Sequence, residues 1–195
     1  MKKTLAAIAI TASMAFATAS TAHASTSHDP HERHLGQSGL EQKFEQLKRA
    51  TATFKNILHA LADGYSAFAI PAQAGAQPTT GLGLAGDPTC FDDPTGGMGV
   101  HYVKGIDETL NRDQPEALVY QVNEHGTLKL VGVEYIIPDN LVDPTNPPHL
   151  FGQTLHHHPY LPVYILHAWV WKANPGGMFA DFNPRVPPCP APTAQ

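Results

Sequence analysis

Between residues 38 and 63 the chain repeats at helical spacing. Phe44, Leu47, Thr51, Phe54, Leu58 and Leu61 follow one another by three or four positions, which lays one stripe along a helix. Lys43, Glu45, Lys48, Arg49 and Lys55 fall on the opposite side. Ser38 and Glu41 have the spacing of a capping box, and Gly64 supplies a stop. The pattern therefore predicts one long amphipathic helix over residues 38–63.

Further on, the period changes to that of strands. Residues 99–103, 116–122 and 127–137 are rich in β-branched and aromatic side chains, and the last two flank the turn Glu124, His125, Gly126. Residues 163–172 alternate as well. Val163, Ile165, His167, Trp169 and Trp171 are assigned to one face, and Tyr164, Leu166, Ala168 and Val170 to the other. Residues 70–99 read as an irregular connection in which Gly96, Gly97 and Gly99 mark a turn. Residues 138–162 read as a long Pro-rich loop with His156, His157 and His158. The resulting fold class is α+β: an antiparallel sheet of four to five strands, one long helix, and long Pro/Gly-rich loops.

The N-terminus alters how much of the chain enters that fold. Lys2 and Lys3 precede a short apolar stretch over residues 5–16, and Ala22 and Ala24 bracket a small-residue cleavage site. Residues 1–24 therefore read as a secretory signal peptide, with the mature chain starting at Ser25. Residues 25–37 read as a flexible polar arm, 38–190 as a single globular domain and 191–195 as a tail. His28, His31 and His34 in the arm could gather Zn, Cu or Ni loosely, and are assigned instead to a solvated tail. The expected location is secreted or periplasmic, and the mature chain has no membrane-spanning segment.

Composition then removes several classes. The 195 residues carry 12 Lys and Arg against 17 Asp and Glu, a formal charge of -5, and loss of Lys2 and Lys3 makes it two units more negative. Such a chain has no basic footprint for nucleic acid. The two cysteines, Cys90 and Cys189, would meet an oxidising compartment and are expected to form one disulfide rather than a thiolate metal pair. The loop-entropy argument gives such a bridge roughly 4–5 kcal/mol. No nucleophile elbow or dinucleotide loop is present.

One constellation stands out. His101, Glu134 and His167 each interrupt an otherwise apolar strand. A carboxylate there is costly to bury unless it is paired or binds a cation. Glu134 is assigned to a face with Leu128, Leu130, Gly132 and Ile136. If the strands are neighbours, two imidazoles and a carboxylate form a site suited to one divalent transition metal, Zn or Fe(II). Tyr102, Trp169 and Trp171 would wall a pocket for a small-molecule ligand. A hydrogen-bonded polar network without metal, and three unrelated positions, are the competing explanations.

Several strings resemble a group of uncharacterised exported bacterial proteins: GMGVHYV (97–103), PEALVYQ (115–121), LVGVEYIIP (130–138), LFGQ (150–153) and HAWVWKANPGGMFADFNPRV (167–186), with ALADGY (60–65) closing the helix. The resemblance spans about residues 41–190. It implies a single secreted domain and brings no activity, ligand or oligomeric state with it. Three functions follow from the residues: a metal-binding module, a metal-dependent hydrolase or oxygenase, and a metal-free structural or interaction protein.

Overall fold

A computed structural model describes residues 30–67, 90–158 and 161–188. The signal peptide, the start of the arm with His28, most of the connection over 70–89, Cys189 and the tail 191–195 lie outside the described residues.

Helix α1 spans Pro30–Thr51, a 3-10 helix η1 spans Ala52–Lys55, and α2 spans Ile57–Ala62. The first helix thus begins eight residues before Ser38, so Ser38 and Glu41 lie inside it rather than at its start. The single helix expected to residue 63 is also broken. Thr51 turns its hydroxyl back onto the Leu47 carbonyl at 2.8 Å, a bond that competes with the helical ladder. Asn56 then caps a new start by accepting the Leu58 N–H at 3.0 Å. The break rotates the stripe out of register. Phe44, Leu47 and Thr51 are buried, whereas Leu58 and Leu61 are exposed and Ala60 is buried in their place.

The sheet has more strands than the periodicity implied. β1 is Ser66–Ala67, β2 Cys90–Asp93, β3 Gly96–Val103, β4 Ala117–Val122 and β5 Leu128–Pro138. β6 is His149–Leu150, β7 Gln153–Thr154, β8 His156–His157 and β9 Val163–Ala168. Seven strands form one antiparallel sheet in the order β1-β3-β4-β5-β9-β8, with β2 also on β3; β6 and β7 form a separate hairpin. The Gly-rich run expected as a turn is strand β3, and the turn is Pro94-Thr95, where Asp93 accepts from the Thr95 N–H at 2.7 Å. The β4–β5 hairpin is as expected, with Gly126 at φ 75 in its turn.

One face of the sheet packs on the helices: Val100, Tyr102, Leu118, Tyr120, Leu130, Val133, Tyr135 and Leu166 cluster with Phe44 and Leu47. The other face carries two smaller groups, Val103, Ala117, Ile136 and Ile165, and Val119, Val131, Trp169 and Val186. After β9 the chain turns back over this second face. Asn183 donates to the Gly97 carbonyl at 3.0 Å and Gly97 to that of Val186 at 3.2 Å.

Among the described residues, no helix is long and apolar enough to cross a membrane.

Candidate metal centre

His101 comes from β3, Glu134 from β5 and His167 from β9. Register explains the meeting. Glu134 is the direct cross-strand partner of His167 on one side and of Ala117 on the other. His101 pairs with Val119, which pairs with Gly132, two residues before Glu134. The small side chains of Ala117 and Gly132 leave room between them. His101 thus reaches across β4 to its partners, in the gap between the two apolar groups of that face.

The distances are short. His101 Nε2 lies 3.3 Å from His167 Nε2 and 3.4 Å from Glu134 Oε2, and His167 Nδ1 lies 3.4 Å from Glu134 Oε1. One ligand atom from each residue falls within 4.8 Å of the others. The three short approaches use both nitrogens of His167 and both oxygens of Glu134, so they are not the edges of one coordination shell. Taken one atom per residue, the group is close enough to hold a metal ion, with its side chains drawing in to bonds of about 2.0–2.2 Å. All three side chains are buried, His167 completely.

Burial sets their charge. Desolvation holds the Glu134 carboxyl well above the usual carboxylate range, with Asp181 and Glu116 adding to the shift. Desolvation also pushes His167 well below the usual imidazole range, followed by the influence of His101 and His158. Glu134 and His167 therefore meet as neutral groups, and their 3.4 Å approach is not an ion pair. Neutral hydrogen bonding leaves the set incomplete: Glu134 Oε1 and His167 Nδ1 are buried and make no hydrogen bond among the described residues.

The walls differ from the expected ones. Trp169 does flank the site, its indole stacked on the His167 ring at 5.4 Å and 7°. Tyr102 and Trp171 do not. Tyr102 neighbours His101 in a strand, so its ring points to the helix side, against Tyr120. Strand β9 ends at Ala168, so alternation fails beyond it: Trp171 donates to Thr51 on α1 and lies under Lys55. Leu128 and Leu130 are also on the helix side, because a bulge between Val119 and Tyr120 lets Gly132 and then Leu130 face successive β4 residues.

Asp181 escaped the sequence reading, and so did the burial of His158. His156 and His157 form β8 and are exposed, whereas His158 is 2% exposed and its Nδ1 accepts the Leu161 N–H at 3.1 Å. Burial, then His101, push its pKa down to about 4. Asp181 accepts from His156 Nε2 at 2.9 Å. Neither has periodicity to reveal it, since both lie in irregular covering segments.

A cavity of about 560 Å³ lies elsewhere, lined by Phe54, Tyr65, Lys104, Asp107, Asp113 and Glu116 among others. Glu116 stands just before β4 and accepts the Ile136 N–H at 3.1 Å, replacing a strand carbonyl. Burial raises its pKa to about 7, with the Ile136 bond opposing and Asp107 adding. Its folded pKa exceeds its unfolded one, so stability is full below about pH 4.5 and falls as pH rises to about 7. Glu116→Gln keeps the acceptor and removes this fall. Urea unfolding should show the variant gaining on the parent across that window, by on the order of 1–3 kcal/mol at pH 8. Parallel pH curves for the two proteins would refute it.

Comparison of the chain with protein-family models, with curated proteins and with solved structures finds no match.

Proposed function

We propose that this chain is an exported module that binds one divalent transition metal, Zn or Fe(II), through His101, Glu134 and His167. The observation that carries the reading is the pair of buried atoms without hydrogen bonds, Glu134 Oε1 and His167 Nδ1. A finished polar network would satisfy both, at a gain of about 1–3 kcal/mol each. Two polar atoms left facing each other at 3.4 Å, with the His101 imidazole also in the group, suit a cation instead. A hydrolase or oxygenase would need an open coordination position beside a ligand pocket. The three residues are at most 5% exposed, and the described cavity is lined by other residues, which favours binding over catalysis.

Export rests on the charged, apolar and small-residue pattern of residues 1–24. It gives Cys90 and Cys189 an oxidising setting. Cys90 is buried at the start of β2, and Val186, three residues before Cys189, is held beside the neighbouring strand at Gly97. That proximity supports the Cys90–Cys189 bridge as part of the proposal.

The test is elemental analysis of protein purified without chelator, followed by melting with and without added Zn²⁺. One equivalent of metal and a higher melting temperature on addition are expected. Less than about a tenth of an equivalent, with Zn²⁺ leaving the melting temperature unchanged, would leave only the metal-free structural reading.

A further inference from the structure

The three ligands are sealed from solvent, so a cation needs a way in. Further metal-binding side chains lie on the same face of the sheet. β8 pairs with β9 so that His156 stands opposite Ile165, two residues from His167. His156 meets Asp181, Nε2 to Oδ2 at 2.9 Å, with side chains 46% and 21% exposed. His158 is 2% exposed, and its Nδ1 accepts the Leu161 N–H, so the neutral imidazole carries its proton on Nε2. Asp181 also has a buried face: its Oδ1 is shut off from solvent and makes no hydrogen bond among the described residues. The register of β8 on β9, the His156–Asp181 contact and the buried oxygen of Asp181 together place this pair on the face that carries the centre, and Asp181 adds to the shift on Glu134.

The structure assigns to His156 and Asp181 the role of an outer docking point from which a divalent transition cation passes to His101, Glu134 and His167. An imidazole and a carboxylate suit the same borderline ions as the inner set. A cation handed from one ligand set to the next avoids crossing the apolar face bare, which would forfeit its hydration without replacement. The orphan oxygen of Asp181 is the atom that would take the ion inward. A second pair of the same chemistry provides an internal control. His157 and Asp139 meet at 2.7 Å, and Asp139 Oδ1 is likewise buried without a hydrogen bond among the described residues, but His157 stands opposite Tyr164 and so on the other face of the sheet.

This inference rests on the metal-binding reading, and the experiment separates the two. The full chain, stripped with chelator, is mixed with Co²⁺ and uptake is followed by absorbance, with the final stoichiometry measured separately. Asp181→Asn and His156→Ala are expected to load at least tenfold more slowly than the parent while reaching the same equivalents. Asp139→Asn should load at the parental rate. His156 is half exposed, so its variant keeps the test available if Asp181→Asn folds poorly. Parental loading rates in both port variants, or equal slowing in Asp139→Asn, would overturn the docking role while leaving the inner site standing. A parent protein that takes up no Co²⁺ at equilibrium would overturn both.

Discussion

Glu134→Gln is expected to abolish metal uptake while leaving the metal-free fold intact. Buried Glu134 holds its proton well above the usual range, so in the absence of metal the carboxyl is already a neutral group of glutamine's shape. The metal-free variant should therefore melt within about 2 °C of the parent, since no charge or packing is lost. With metal the two must diverge. A ligand present at a hundred times its Kd stabilises by about 2.7 kcal/mol, worth roughly 5–11 °C in a domain of this size. A hundredfold loss of affinity cuts this to about 0.4 kcal/mol. His167→Ala should lose the metal too, but it also removes a fully buried ring stacked on Trp169 and should lower the metal-free melting temperature. Metal content in Glu134→Gln equal to that of the parent would sink the assignment.

Gly96→Ala is expected to be the most damaging small substitution away from the centre. Gly96 has φ 151, and a Cβ there would press within 3.0 Å of the backbone of Asn183 and Pro184. Neither neighbour is the flexible end of a side chain, so β3 or the returning C-terminal segment must move. Strain at the dihedral and overpacking together come to about 3–5 kcal/mol. Gly105→Ala is the matched control, since Gly105 also has positive φ, 64, but nothing stands within 4 Å of its would-be Cβ. It should cost about 1 kcal/mol. Urea midpoints measure both, and a loss below about 1 kcal/mol for Gly96→Ala would contradict the close packing described.

The candidate centre was legible in the sequence because burial makes chemistry conspicuous: a glutamate between Val133 and Tyr135 is costly without a partner. Its strands were long enough for alternation to be read. What failed did so for local reasons. A single bulge residue reverses the alternation that puts Leu130 and Glu134 on one face, and no composition signal marks it. Trp171 was misassigned because the strand pattern in the sequence outlasts the strand itself, which ends at Ala168. The strands that went uncounted, such as β1 and β8, have two residues each, too few to show a period. The helix break was hidden because Thr51 satisfies the apolar spacing while its hydroxyl bonds backward. His158 and Asp181 depend on where irregular segments fold back, which only long-range packing decides.

The order of strands around the centre also bears on how it comes into being. Its ligands lie at positions 101, 134 and 167, on three strands separated by long stretches of chain, with β4 threaded between the first two. Each pairing closes a loop before its contacts repay the lost entropy, a topology that folds slowly relative to helical domains. The cation site cannot exist until β3, β4, β5 and β9 are all aligned. A bound ion would therefore act late, slowing unfolding far more than it speeds folding. Release of the ion past His156 and Asp181 leaves the strands aligned, so metal loss would run ahead of unfolding and each would keep its own rate.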